Sequence, residues 1–80
     1  MKLPRDLSGR ELVKILCRDW EYSQVHQVGS HVILETNTPS HQRLAVPMHD
    51  VLRVGTLNSI LRAVAHHKVI PRQEIFNKQA

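Results

Sequence analysis

The fold of this chain is decided by the stretch from Tyr22 to Thr36, which reads YSQVHQVGSHVILET. Gly29 and Ser30 separate two runs, residues 22–28 and residues 31–36, that have the composition of β-strands. Glycine at the first position of a two-residue turn favours the type II′ geometry that closes antiparallel hairpins. The stretch therefore predicts a hairpin with three cross-strand pairs, Val28–His31, His26–Ile33 and Gln24–Glu35.

The two faces of this hairpin differ in polarity, because successive side chains of a strand point to opposite faces. One face carries three aliphatic residues together with three polar ones: Val25, Val32, Leu34, Ser23, Gln27 and Thr36. The aliphatic residues make this face the better candidate for the core. The other face is expected to be open to solvent and to present four polar side chains together, His26, His31, Gln24 and Glu35.

A helix is predicted before the hairpin. Ser8 and Glu11 have the spacing of a capping box, and Leu7 and Leu12 suit the apolar contact that accompanies one. Leu12, Ile15 and Leu16 would share the buried face of this helix. Roughly opposite them lie three basic residues, Arg10, Lys14 and Arg18. An ordinary solvated face is favoured for these, with contact to a nucleic acid or a protein partner as the alternative.

The rest of the chain completes an α+β unit. Residues 37–42 are expected to form a loop containing Pro39, and residues 43–46 a third strand that ends at Pro47. A second helix follows Gly55-Thr56, with an apolar stripe formed by Leu57, Ile60, Leu61 and Val64 and a polar side formed by Ser59, Arg62 and His66. A short last helix is expected near Pro71, docked by Ile75 and Phe76.

The order of these elements is α-β-β-β-α plus a short C-terminal helix. It predicts one domain over residues 1–80, with a three-stranded antiparallel sheet and both main helices on one face. This is the architecture of the double-stranded-RNA-binding domain. A domain of this size has no room for a deep cavity, so a functional site is expected on its surface.

Charge and cysteine content narrow the possible functions. Eleven Lys and Arg residues against seven Asp and Glu, with six histidines, favour a polyanionic partner such as nucleic acid, although a soluble domain of modest charge is an equal alternative. Cys17 is the single cysteine, which excludes an internal disulfide and fits a reducing cytoplasm. It is expected to be a small buried residue rather than a nucleophile.

No membrane association is expected from the sequence. It contains no apolar run long enough to span a bilayer. Pro4, Arg5 and Asp6 interrupt the N-terminal stretch in which a signal peptide would place its apolar segment. These features again favour a cytoplasmic protein.

Three short motifs carry a resemblance to a known family. Gly29-Ser30-His31 follows the first strand, Val46-Pro47-Met48-His49 ends the third, and Gly55-Thr56-Leu57 opens the second helix. In this order and spacing they resemble the HicA (YcfA-like) toxins of bacterial and archaeal toxin–antitoxin pairs, over roughly residues 8–76. The resemblance implies an endoribonuclease that cleaves mRNA, is neutralised by a HicB-type antitoxin, and uses His31 as its catalytic residue.

The chemistry of RNA cleavage suits these residue types. RNA carries its own nucleophile, the 2′-hydroxyl, so an enzyme has to remove that proton, stabilise charge on the phosphate and protonate the leaving 5′-oxygen. Histidine suits the proton transfers because its pKa lies near neutrality, and Arg and Lys suit the phosphate. No metal or small-molecule cofactor is therefore expected, and the six histidines lack the ligand spacing of a zinc site.

Several further residues are candidates for binding RNA beside His31. Gly29 and Ser30 would allow a backbone to approach the turn closely, and Ser30 is not expected to be a nucleophile. His26 could assist or could simply pair with Ile33, and His49 could line the site or be a solvated loop residue. Gly55 and Thr56 offer backbone N–H groups to a phosphate, or form an ordinary helix start, with Arg53 just before them.

Two other functions are compatible with the sequence. A non-catalytic double-stranded-RNA-binding module would share the fold, but such modules resemble one another in a Lys-rich start to the second helix. Here that start is Val54-Gly55-Thr56 with Arg53 nearby, which argues against this alternative. A protein-interaction domain that meets an acidic partner is the third possibility.

Overall fold

The computed structural model describes residues 6–77. In chain order its elements are α1 (Gly9–Asp19), β1 (Ser23–Val28), β2 (His31–Thr36), β3 (Gln42–Pro47), α2 (Val54–Lys68) and a 3₁₀ helix (Arg72–Phe76). The predicted α-β-β-β-α order is confirmed. The expectation about Pro4 and Arg5 lies outside the described residues. Within residues 6–77, no helix combines the length and apolar character needed to cross a membrane.

The three strands form an antiparallel sheet in the order β1-β2-β3. The predicted pairs Val28–His31 and His26–Ile33 are confirmed. Gly29 has a φ of 59°, whereas Ser30 is not among the residues with positive φ. A type II′ turn has this combination of φ signs, as the sequence predicts for Gly29-Ser30.

The predicted pair between Gln24 and Glu35 is wrong. The register shifts between Gln24 and His26, so that Gln24 pairs with Leu34 and Ser23 pairs with Glu35. The extra residue is Val25, which the sequence assigned to the core and which is 47% exposed. Gln24 therefore shares the face of Leu34 and not that of His31. A bulge of this kind breaks the two-residue period on which the prediction relied.

The core lies between the sheet and the two helices. Val32, Leu34 and Thr36 are buried, whereas His31 is exposed and Glu35 is half-buried, which confirms the faces assigned to β2. The helices contribute the predicted apolar residues: Leu12 and Leu16 from α1, and Leu57, Ile60, Leu61 and Val64 from α2. Because both helices cover the same face, the face that carries His31 stays open.

The start of α1 is fixed by local contacts. The Ser8 hydroxyl accepts a hydrogen bond from the Glu11 N–H, and the Glu11 carboxylate accepts one from the Ser8 N–H, both at 3.0 Å. This is the predicted capping box. Gly9 follows the cap, and a Cβ there would come within 1.9 Å of the Pro47 carbonyl oxygen. The first turn of α1 therefore packs directly on the end of β3.

The C-terminal helix docks as predicted, although it is a 3₁₀ helix. Ile75 is fully buried and Phe76 packs against the core. The Trp20 indole N–H donates a hydrogen bond of 3.0 Å to the Ile75 carbonyl oxygen. Residues 72–76 thus complete the core beside the end of α1.

Candidate functional site

A shallow groove of about 600 Å³ lies where the hairpin end meets the start of α2. Its lining comes from β2, β3, the loop after β3 and α2: His31, Ala45, Pro47, His49, Gly55, Thr56, Ser59 and Ile60. Each of the three sequence motifs contributes at least one of these residues. The fold therefore brings together residues that are up to 29 positions apart in the chain, from His31 to Ile60.

His31 is the first residue of β2, and its side chain is exposed on the open face of the sheet. Its backbone pairs with Val28 on one side and with Pro47 on the other. Glu35 lies on the same face, about 13 Å further along the strand at the usual rise of a β-strand. Its carboxylate contacts Arg43 and His41, each at 3.5 Å. Glu35 is thus engaged elsewhere and does not pair with His31.

His49 is placed by backbone hydrogen bonds from two other elements. The Met48 N–H donates to the Ser30 carbonyl at 2.7 Å, which ties this loop to the hairpin turn. The Gly9 N–H donates to the His49 carbonyl at 3.0 Å, which ties it to α1. The imidazole itself is exposed and lines the groove. Because Gly9 has no Cβ, α1 can approach closely enough to make this contact.

The start of α2 forms the other wall of the groove. Arg53 is its N-cap residue, and the Arg53 side chain makes no capping hydrogen bond. The first turn contains no acidic residue, in contrast to α1. Apart from the adjacent residues and the backbone of α2 itself, no atom lies within 4 Å of the position that a Cβ on Gly55 would occupy. An anion could therefore approach the backbone N–H groups of Gly55 and Thr56, where the helix dipole also favours negative charge.

The structure gathers some of the predicted site residues and not others. His31, His49, Gly55 and Thr56 line one groove. The remaining four are exposed but outside its lining: His26 on the same sheet face, Gly29 and Ser30 in the turn, and Arg53 at the start of α2. Ser30 has a structural role through its carbonyl, which accepts the Met48 N–H.

Four groove residues were not predicted from the sequence: Ala45, Pro47, Ser59 and Ile60. Ser59 and Ile60 follow Thr56 by three and four residues, so the helical period alone could have placed them beside it. The two β3 residues could not be found this way. Their position depends on the register between β2 and β3, and the intervening loop is too long to fix that register.

The electrostatic character of the groove is set by imidazoles and a helix start. None of the described residues that line it is acidic. In residues 6–77, no group of three or more His, Cys, Asp or Glu side chains is arranged to hold a metal ion. The chemistry this arrangement supports best is proton transfer by histidine next to a bound phosphate.

Comparison with known proteins identifies the family. The family model described as the HicA toxin of bacterial toxin–antitoxin systems matches residues 9–65. Searches of curated proteins and of solved structures found no significant match. The matched segment contains every residue of the groove, from His31 to Ile60. Since it also covers more than two thirds of the 80 residues, this chain belongs to the HicA toxin family.

Proposed function

We propose that this toxin is a metal-independent endoribonuclease that cleaves mRNA, with His31 as its central catalytic residue and a HicB-type antitoxin as its neutralising partner. Its family is one of ribonuclease-like toxins, which supports a nuclease role at the level of the family. The observation that carries the proposal is the groove in which the exposed His31 lies beside the start of α2.

The proposed reaction uses the RNA's own 2′-hydroxyl. His31 takes part in the proton transfers as this oxygen attacks the adjacent phosphorus and the bond to the 5′-oxygen breaks. The N–H groups of Gly55 and Thr56 hold the phosphate oxygens, and Arg53 adds a positive charge nearby. The products are a 2′,3′-cyclic phosphate and a free 5′-hydroxyl. Because the nucleophile belongs to the substrate, the scheme needs no metal-bound water.

The shape of the groove favours a polymeric substrate. It is shallow and continues onto the open face of the sheet, so a chain can pass through it without being enclosed. No Phe, Tyr or Trp side chain is among its described lining residues. Base stacking on aromatic rings is a main source of single-strand recognition, so we expect weak base specificity.

The test is the variant His31→Ala, with cleavage of a long RNA measured in the presence of EDTA. We expect the rate to fall roughly 10²–10⁴-fold, the usual contribution of a positioned acid or base. The thermal midpoint should hardly change, because the exposed side chain leaves no cavity when truncated. His26→Ala, on the same sheet face but outside the groove, is the matched control and should retain most activity.

Each alternative gives a different result in this assay. A variant His31→Ala that is folded and fully active would remove His31 from the mechanism. Wild-type cleavage that is lost in EDTA and restored by a divalent ion would contradict the metal-independent scheme. A non-catalytic RNA-binding module would bind the RNA and leave it intact even as the wild type.

A further inference from the structure

We propose that His49 is a second catalytic residue, which shares the two proton transfers of RNA cleavage with His31. The inference rests on the proposed ribonuclease activity and names the group that completes its chemistry. It is carried by the joint placement of the two imidazoles in one groove.

Two proton transfers are needed at different atoms. One group accepts the proton of the 2′-hydroxyl as the 2′-oxygen bonds to phosphorus, and another donates a proton to the 5′-oxygen as its bond to phosphorus breaks. The attacking and leaving oxygens lie on opposite sides of the phosphorus in an in-line displacement. A single imidazole cannot reach both oxygens at once. The protons balance because the histidine that accepts the 2′-hydroxyl proton ends the step protonated, and the histidine that donates to the 5′-oxygen ends it neutral.

The groove contains two side chains of the kind that can do this. His31 and His49 are its imidazoles, a residue type that both takes up and releases protons, whereas Thr56 and Ser59 contribute hydroxyls, which are much weaker acids and bases. The nearest other charged groups by sequence and strand position are Asp50, Arg53 and His26. All three are exposed, and none is part of the lining.

Hydrogen bonding distinguishes these two histidines from His41 and His67. His67 binds the Ser40 carbonyl oxygen at 2.8 Å, and His41 contacts the Glu35 carboxylate at 3.5 Å. Within residues 6–77, the imidazoles of His31 and His49 make no such contact. Both rings are thus available to a substrate.

The backbone holds His49 in place although its side chain is exposed. The hydrogen bonds from Gly9 to the His49 carbonyl and from Met48 to the Ser30 carbonyl fix the loop against α1 and the hairpin turn. His31 directly follows that turn as the first residue of β2, and its backbone pairs with that of Pro47. The two histidines are therefore carried by segments that are bonded to each other, which suits a catalytic pair.

The experiment compares His49→Ala and His49→Arg with the wild type and with His66→Ala, an exposed histidine on the outer side of α2. We expect His49→Ala to cleave RNA roughly 10²–10⁴-fold more slowly, with unchanged affinity for an oligonucleotide blocked by a 2′-deoxy substitution. His49→Arg should not restore the rate, because arginine stays protonated and cannot exchange a proton. The pH profile of kcat/KM should keep two limbs in His66→Ala and lose one in His49→Ala.

A substrate with sulfur in place of the bridging 5′-oxygen separates the two roles. Its thiolate leaving group needs no protonation, so it should restore the rate of one of the two variants, His31→Ala or His49→Ala, and not of the other. Restoration of both variants, or of neither, would overturn the proposal.

The remaining outcomes also decide the matter. An active His49→Arg would show that His49 supplies only positive charge, and an active His49→Ala would show that it supplies nothing; either result refutes the inference alone. Wild-type protein that cleaves no RNA would refute the proposed function together with it. If His49→Ala lowers the thermal midpoint, His49→Gln, which keeps a hydrogen-bonding side chain of similar size, replaces it in each comparison.

Discussion

In the proposed function, Gly55 serves the groove at the expense of the helix. It lies in the first turn of α2, and glycine in the interior of a helix costs roughly 0.5–1 kcal/mol relative to alanine. Its φ is not positive, and a Cβ would meet no other atom within 4 Å. The fold therefore does not require glycine at this position, whereas the phosphate contact that we propose would favour it.

We predict that Gly55→Ala makes the protein more stable and less active. Chemical denaturation should show a gain of up to about 1 kcal/mol from helix propensity. Affinity for RNA and the cleavage rate should both fall, because the new methyl group occupies the space over the N–H groups. A variant that is more stable and equally active would contradict the proposed phosphate contact.

Gly9→Ala is the matched comparison, since it places the same methyl group elsewhere. There the Cβ would lie 1.9 Å from the Pro47 carbonyl oxygen, so α1 has to move away from the loop that carries His49. This variant should lose stability as well as activity.

Tyr22 makes stability depend on pH in the alkaline range. It is the single tyrosine of the chain, and burial raises its pKa to about 12. In the unfolded chain tyrosine ionises near pH 10. Because the fold favours the neutral phenol, this contribution to stability is complete below about pH 10 and is lost as the pH rises towards 12.

Ultraviolet absorbance of the phenolate follows this titration directly. Native protein should ionise at higher pH than denatured protein, and Tyr22→Phe should remove this part of the pH dependence of unfolding. Equal titration curves for native and denatured protein would contradict the burial effect.

The residues of the site divide according to how local their placement is. The exposure of His31 follows from alternation along β2 and from a two-residue turn, so the sequence was sufficient to predict it. The place of His49 depends on hydrogen bonds from Gly9 and from Met48 to Ser30. Contacts between segments so far apart leave no periodic signal, and for this reason the sequence left the role of His49 open.

At the scale of elements, the helices are determined by contacts that are local in sequence, whereas the strands also depend on pairing between segments. The cap of α1 and the stripe of α2 are formed by residues three and four apart, and both were predicted. The bulge at Val25 was not predicted, because it is visible only in the pairing of β1 with β2. The third strand was predicted over residues 43–46. It runs from Gln42 to Pro47, so the prediction was one residue short at each end.

The end of α2 contains a strained residue. Val69 has φ 56° and ψ 54°, in the left-handed region, and its side chain is 84% exposed. A left-handed conformation costs a residue with a Cβ roughly 1–2 kcal/mol, and a β-branched residue is rare there. Exposure means that packing does not offset this cost.

We predict that Val69→Gly stabilises the protein by up to about 1 kcal/mol, after allowance for the greater freedom of glycine in the unfolded chain. Equilibrium unfolding in urea measures the change, and Val69→Ala should gain less because it keeps a Cβ. Cleavage should not change, since α2 separates Val69 from Gly55 by about 20 Å at the helical rise. Destabilisation by Val69→Gly would show that the valine makes contacts that outweigh its backbone strain.

At the scale of the whole molecule, the core extends beyond the segment that the family model matches. The match ends at residue 65, yet Ile75 is fully buried and its carbonyl accepts the Trp20 indole N–H. The sequence indicated this docking through Ile75 and Phe76. The groove therefore carries the proposed chemistry, and the C-terminal helix completes the core.

The open face determines how the proposed antitoxin can act. The two helices cover one face of the sheet, and His31 lies exposed on the other. The chain carries a formal net charge of +4, so an acidic partner would be attracted to it at long range. Covering the groove is the simplest way to silence a site that residues 6–77 of the toxin leave open.

We therefore predict that the antitoxin protects His31 from modification by diethyl pyrocarbonate, as measured by mass spectrometry of free and complexed toxin. His66, on the outer side of α2, is the internal control and should stay reactive. The association rate should fall as salt is added, because the Debye length shrinks to about 10 Å at 0.1 M ionic strength. An inhibited complex in which His31 reacts as fast as in the free toxin would exclude steric masking. Inhibition would then have to act through the elements that position the groove, for example through α1, whose Gly9 N–H donates to the His49 carbonyl.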